Sequence, residues 1–161
     1  MSMATLIAYA TKHGVTELCA KELQADLACG AELINLKERT PDLRKYDTVI
    51  LGASVYAGMP RKQMKAFVAN NAAELKMKRL GLFLCCMADG EQAQKQMDAA
   101  FTPELRKAAL AQGVLGGGFH TAKMNFIEKF AVEKITGKKV EDSFDIYEDV
   151  LGSFIQAFAQ K

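Results

Sequence analysis

Apolar residues recur along this chain in two alternating patterns. Short runs of consecutive apolar residues are typical of buried strands in a parallel sheet, whose two faces are both covered. Segments with apolar residues every three or four positions lie between these runs and predict helices. The five alternations of strand and helix predict βαβ units and a parallel sheet. The predicted strands are 5–10, 31–36, 47–53, 80–87 and the glycine-diluted 114–119.

Spacing and boundary signals predict the helices. Val15, Cys19, Leu23 and Leu27 recur every four residues, and Cys29-Gly30 follows as a stop signal. We expect residues 54–59 to form a loop. The other predicted helices are a short one from Thr40-Pro41, one opened by Pro60, a two-piece helix over 91–111 capped by Thr102 and ended by Gly113, and a last one over 146–159.

Size and composition indicate one globular domain over residues 1–161. The net charge of +2 argues against a nucleic-acid partner, which would require a clear basic excess. The four cysteines form no Cys-x-x-Cys pair, so we expect reduced thiols in a cytoplasmic protein. We also expect no membrane span, no secretory leader and no metal site.

The segment between the first strand and the first helix has the composition of an anion site. Helix N-termini present unpaired N–H groups and a partial positive charge, to which phosphate binds readily. An ordinary βα turn with good caps is the alternative. The pattern is neither a Walker loop nor G-x-G-x-x-G, which disfavours ATP, GTP and NAD. The candidate ligands are Thr11, Lys12, His13, Gly14, Val15 and Thr16.

Two segments carry a resemblance to a known family. "TKHGVTE" resembles the phosphate loop of flavodoxins, with His13 where Thr or Asp is usual, and "DLRKYDTVILGASVYAG" resembles their third-strand segment. The menaquinone-dependent protoporphyrinogen oxidase branch is more similar still, through the first loop, Gly52-Ala53-Ser54 and the late segment "KFAVEKITGKKVEDSFDIYEDV". The resemblance covers nearly the whole chain.

The resemblance implies an α/β flavodoxin-like three-layer sandwich with a five-stranded parallel sheet in the order 2-1-3-4-5 and a helical insert at about 120–139. It also implies FMN bound outside the carboxyl ends of the strands. Tyr56 would stack on the flavin or cover the sheet end, Asp89-Gly90 reads first as a turn, and Cys86 reads as an inert thiol. The implied flavin contacts are Ser54, Val55, Tyr56, Ala57 and Gly58 on one side, and Cys86, Met87, Ala88 and Asp89 on the other.

The resemblance and the residues leave two candidate functions and argue against a third. The first is an FMN-dependent oxidoreductase similar to protoporphyrinogen oxidase, with a quinone as acceptor. No side chain is assigned as catalytic, and His120 is expected to be structural or on the surface. The second is an electron carrier that serves redox partner proteins, although flavodoxins are usually acidic and carry a tryptophan that this chain lacks. A receiver-type signalling domain is disfavoured because the strand ends lack its carboxylates.

The late insert predicts either a packed helix or a docking surface. Met124, Ile127, Ala131 and Ile135 share one helical face, with Phe130 adjacent, and lysines surround them. Solvated lysines on a packed helix are the simpler interpretation. A basic amphipathic helix also suits a membrane or a lipid-like quinone, through residues 123–139. We therefore expect a cytoplasmic location, with peripheral contact at the inner membrane face as the alternative.

Overall fold

The computed structural model describes residues 4–11, 14–27, 30–56, 59–119, 130–131, 133–135, 137 and 143–159, apart from the side chains of Tyr56, Met59, Phe119 and Ser143. Seven strands lie within this part of the chain. They are β1 (Thr5–Ala10), β2 (Glu32–Asn35), β3 (Thr48–Tyr56), β4 (Met59–Pro60), β5 (Arg79–Cys85), β6 (Ala111–Phe119) and β7 (Ser143–Ile146).

Five helices are bounded within the described residues, besides a short 3-10 helix over Leu43–Lys45. Residues 130–131 and 133–135 are also helical. The five are α1 (Val15–Asp26), α2 (Lys62–Leu75), α3 (Gly90–Ala100), α4 (Pro103–Ala108) and α5 (Glu148–Ala159).

The sheet runs in the order β2-β1-β3-β5-β6-β7, and β4 pairs with β3 off this path. The first five strands of that order are parallel, as predicted. They reproduce the predicted order 2-1-3-4-5, and the α/β fold class is confirmed. The predicted count of five strands is wrong, because β7 adds a sixth strand antiparallel to β6.

Helices cover both faces of the sheet, and this explains the unbroken apolar runs. Along β5, Leu82 and Leu84 join a core cluster with α2, α3 and α4, whereas Phe83 and Cys85 join a second cluster with α1 and α5. The predicted stripe of α1 lies wholly in the second cluster. Both faces of a parallel strand are therefore buried, as the composition of the runs predicted.

The strand β7 was not predicted from the sequence because it is short and carries polar residues. Ser143–Ile146 pairs with the glycine-rich end of β6. A Cβ added at Gly116 would lie 2.6 Å from the Asp145 carbonyl oxygen, so the close approach of β7 requires glycine there. The glycines that weakened the prediction of β6 thus allow its neighbour to pair.

The boundary between β3 and α2 also differs from the prediction. β3 continues through Tyr56, and Val55 pairs with Pro60 in an antiparallel hairpin. The predicted loop over 54–59 is therefore wrong at residues 54–56, which belong to β3, and at Met59, which belongs to β4. Pro60 lies in the short strand β4 and not in a helix, since proline is tolerated where a strand needs no N–H donor. The helix begins two residues later, at Lys62.

Other boundary predictions gave mixed results. Thr102 caps α4 as predicted, since its Oγ1 accepts a hydrogen bond from the Leu105 N–H at 3.3 Å. The short helix expected from Thr40-Pro41 is a 3-10 helix that starts later, where the Asp42 carboxylate accepts from the Arg44 N–H. Gly113 lies inside β6 and does not end a helix.

Candidate functional site

The carboxyl ends of four parallel strands meet at one edge of the sheet. Ala10 pairs with Ala53, Ser54 with Cys85, and Cys85 with Gly116. β1 lies between β2 and β3, so the order of the strands along the sheet reverses its direction beside β1. In open α/β sheets a ligand binds at such a point, outside the carboxyl ends of the strands.

The turn from β1 to α1 presents donors to this edge. Gly14 is the N-cap of α1 and has φ 85°, a left-handed conformation that favours glycine. Its N–H donates to Thr11 Oγ1 at 3.0 Å, which leaves the Thr11 hydroxyl hydrogen free to bond elsewhere. The first-turn N–H groups of Val15 and Thr16 have no acceptor within the helix, because helix geometry provides none there. The turn therefore suits an anion.

Thr16 provides the strongest local indication of a ligand. Its side chain is fully buried, and its Oγ1 has no hydrogen-bond partner among the described residues. The hydroxyl faces the Cys85 thiol and lowers that group's pKa, as a weak hydrogen bond would, but the contact falls outside the geometry of a hydrogen bond. A buried polar group without a partner requires an explanation, and a role in binding a ligand is one.

The end of β3 contributes a second unpartnered group. Ser54 Oγ is buried and has no hydrogen-bond partner within the described chain. The Ser54 carbonyl accepts from the Arg61 N–H at 3.2 Å, which ties the start of α2 to this strand end. Val55, next along β3, is half-buried against the core. The side chain of Tyr56 lies outside the described residues, so the predicted stacking stays a prediction.

The segment after β5 lies beside them. Cys86 is buried, and its Sγ donates to the Ala88 carbonyl at 3.6 Å. Burial raises the pKa of the Cys86 thiol, which favours the inert thiol over a reactive one. Met87 is 69% exposed and so is not core, and Asp89 is the N-cap of α3. The predicted segment therefore presents an apolar side chain beside the strand ends.

Tyr147 also lies at this edge, and the sequence analysis did not single it out. Its hydroxyl is 3.5 Å from the position that a Cβ at Gly117 would occupy, and that Cβ would be 2.2 Å from the Cys86 carbonyl oxygen. Burial, followed by the nearby Cys86 and Asp145, raises the pKa of Tyr147. The run of three glycines in β6 was a signal for this close packing, although it does not reveal which residue packs there.

A pair of thiols lies beneath the β1–α1 turn. The Sγ atoms of Cys19 and Cys85 are 3.5 Å apart, and both side chains are buried. The hydrogen bond to Cys19 and burial hold the pKa of Cys85 well above its usual value. Cys85 and Cys86 lie in different core clusters, as the alternation of a strand predicts. The described cysteines are all free thiols.

Several predicted residues lie outside the described part of the chain. They are Lys12, His13, Ala57, Gly58, His120 and most of the insert at 123–139, so their predicted roles stay predictions. Within the insert, Phe130 is 60% exposed and Ile135 is 80% exposed. Among the described residues, no cluster of three or more His, Cys, Asp or Glu side chains is arranged to hold a metal ion. No described helix is long and apolar enough to cross a membrane.

The fold and the edge together define a doubly wound α/β protein whose first strand is followed by a turn that presents backbone N–H donors. The family model of the flavodoxin domain matches residues 6–145, so the chain belongs to the flavodoxin family. The particular branch of protoporphyrinogen oxidases is not distinguished by this match. A comparison with curated proteins gave no match.

Solved structures share the fold at low sequence identity. Rubredoxin oxygen:oxidoreductase from Desulfovibrio gigas is 16% identical with a TM-score of 0.59, and the match covers 99% of this chain but 36% of that one. Fusobacterium nucleatum flavodoxin bound to flavin mononucleotide is 16% identical (TM-score 0.51), over 98% and 97% of the two chains. A Lactobacillus acidophilus flavoprotein in complex with FMN is 12% identical (TM-score 0.50), over 83% and 99%.

Proposed function

We propose that this chain binds FMN at the carboxyl edge of the sheet and acts as an oxidoreductase. The observation that carries the proposal is the buried, unpartnered Thr16 hydroxyl at the start of α1, next to the left-handed Gly14. Both features suit a phosphate at a helix N-terminus. Two neighbours of the same fold hold FMN, which supports this choice of anion.

The residues present fit this cofactor. Thr11, Gly14 and Thr16 would hold the phosphate through hydroxyl and backbone donors. The segments 54–58 and 86–89 would flank the flavin ring, with Met87 supplying apolar contact. When bound, FMN supplies electron transfer to and from an organic substrate. The protein would orient the ring and limit its contact with water.

The finer proposal is an oxidase of a porphyrinogen that passes electrons to a menaquinone, similar to protoporphyrinogen oxidase. The net charge of +2 favours the oxidase over an electron-carrier flavodoxin, because such carriers are usually acidic. The exposed Phe130 and Ile135 support contact between the insert and a quinone or the inner face of a membrane, since exposed apolar side chains favour such surfaces.

A flavodoxin-like electron carrier is the second candidate, and one observation favours it. Burial is the main cause of the raised pKa of Tyr147, and the nearby carboxylates of Asp145 and Asp89 also raise it. The part of the rim around Tyr147 therefore carries two carboxylates, despite the basic chain. Such a rim suits the docking of a basic redox partner protein.

An anaerobic assay separates the two candidates. The flavin-loaded protein is mixed with protoporphyrinogen and a menaquinone, and porphyrin formation is followed by fluorescence, with flavin-free protein as the control. The enzyme proposal predicts porphyrin formation that requires both flavin and quinone. If a chemical reductant reduces the bound flavin but no porphyrinogen is consumed, the carrier function stands and the enzyme function fails.

A further inference from the structure

Unpartnered polar atoms concentrate at the start of α2. Ser54 Oγ, Arg61 Nε and Gln63 Oε1 are each wholly buried and have no hydrogen-bond partner among the described residues. They account for three of the five such atoms in that part of the chain. Each buried polar atom without a partner costs free energy, so three within ten residues mark a place where a polar ligand would find hydrogen-bond partners.

The hairpin of β3 and β4 brings these atoms to the carboxyl edge. Val55 pairs with Pro60, and the Arg61 N–H donates to the Ser54 carbonyl at 3.2 Å. Arg61 therefore lies beside Ser54 at the end of β3, which is one of the segments proposed to flank the flavin. Gln63 follows in the first turn of α2. An amide rotation by half a turn would present its N–H₂ donors instead of its oxygen.

The electrostatics of this place favour an anion. Arg61 is the N-cap of α2, and no side chain caps the helix. The first turn contains no acidic residue, whereas Arg61 and Lys62 supply positive charge. The Arg61 carbonyl already accepts from the Met64 and Lys65 N–H groups, but the N–H groups before them have no acceptor within the helix. The positive end of the helix dipole is thus uncompensated by side chains.

We propose that Ser54, Arg61 and the first turn of α2 form a binding site for a carboxylate group of the organic substrate. A guanidinium that approaches through Nε and a terminal nitrogen matches the two oxygens of a carboxylate, and the Ser54 hydroxyl adds a third donor. The site adjoins the phosphate turn of α1, because Ala10 at the end of β1 pairs with Ala53 beside Ser54. The inference rests on the proposed function, because it places the carboxylate beside the bound flavin.

The test compares a tetracarboxylate probe with its uncharged analogue. Coproporphyrin III and its tetra-amide are titrated into the FMN-loaded protein, and binding is measured by porphyrin fluorescence anisotropy. The variants are Arg61→Gln and, as the matched control, Arg44→Gln. Arg44 is exposed, bonds to Asp42 and precedes β3 at the opposite edge of the sheet. Both variants change the net charge equally, so a general charge effect would appear in both.

The wild type and Arg44→Gln should bind the tetracarboxylate at least about tenfold more tightly than the tetra-amide, as expected for a hydrogen-bonded charged pair. Arg61→Gln should lose that preference and retain FMN. Equal affinities for the two probes in the wild type, or an unchanged preference in Arg61→Gln, would overturn the inference. Loss of FMN from Arg61→Gln would also overturn it, because Arg61 would then belong to the cofactor site. Failure of the wild type to bind FMN would instead refute the proposed function.

Discussion

Thr16→Val should change the stability of the apoprotein and its affinity for FMN in opposite directions. The hydroxyl of Thr16 is fully buried and unpartnered within the described chain, and valine replaces it with a methyl group of similar shape. A buried, unsatisfied polar group costs about 1–3 kcal/mol. Its removal should therefore stabilise the apoprotein by about 1 kcal/mol, which corresponds to about 2–4 °C in Tm for a chain of this size.

The same substitution should weaken FMN binding. A hydrogen bond to a charged group contributes about 1.5–3 kcal/mol, so the dissociation constant should rise roughly 10- to 100-fold. Thermal unfolding of the apoprotein is followed by circular dichroism, and FMN binding by quenching of flavin fluorescence. Thr48→Val is the matched control, since Thr48 is also buried but lies at the start of β3, at the opposite edge of the sheet.

The opposite signs make this prediction specific. A mutation that merely damages the fold would lower both the Tm and the affinity. A Thr16 hydroxyl without a role in binding would leave the affinity unchanged and equal to that of the Thr48 control. Either result would refute the argument that Thr16 is held unpartnered in order to bind an anion.

Two further predictions concern the sheet and the tyrosines. Gly117→Ala should destabilise the protein by about 1–3 kcal/mol and weaken FMN binding, because its Cβ would lie 2.2 Å from the Cys86 carbonyl oxygen. Gly152→Ala is the control and should be neutral or stabilising, since its Cβ would have no neighbour within 4 Å. Equal effects of the two substitutions on denaturant unfolding would contradict this prediction. Burial and nearby carboxylates raise the pKa of Tyr9 and Tyr46 to about 12. The folded state then retains protons that the unfolded state loses at about pH 10, so stability is full below pH 10 and falls between pH 10 and 12. Parallel titrations of tyrosinate absorbance and unfolding free energy check this, and constant stability over that range would contradict it.

The layered fold was predictable because its signals are local. The stripe of Val15, Cys19 and Leu23 follows from helical periodicity, and the apolar run of β5 follows from burial on both faces. The strand β7 was not predictable in this way. Its four residues form an edge strand, and its partner is a glycine-rich segment whose pairing depends on close approach in space.

The candidate site was predictable only where its signals are local in the sequence. A glycine and two threonines after an apolar run indicate an anion-binding turn, because each residue type has a local role there. Whether the hydroxyl of Thr16 has a partner depends on residues from other elements and cannot be read from a sequence. The same holds for Arg61, which the β3–β4 hairpin brings to Ser54, and for Tyr147, which packs over Gly117.

The central claim is that the start of α1 binds the phosphate of FMN. Calorimetric titration of the apoprotein with FMN and with riboflavin, which lacks the phosphate, tests it most directly. Two hydrogen bonds to a charged phosphate predict 1:1 binding of FMN that is roughly 100-fold tighter than that of riboflavin or more. Equal affinities for the two flavins, or no association with FMN at low salt, would contradict the account.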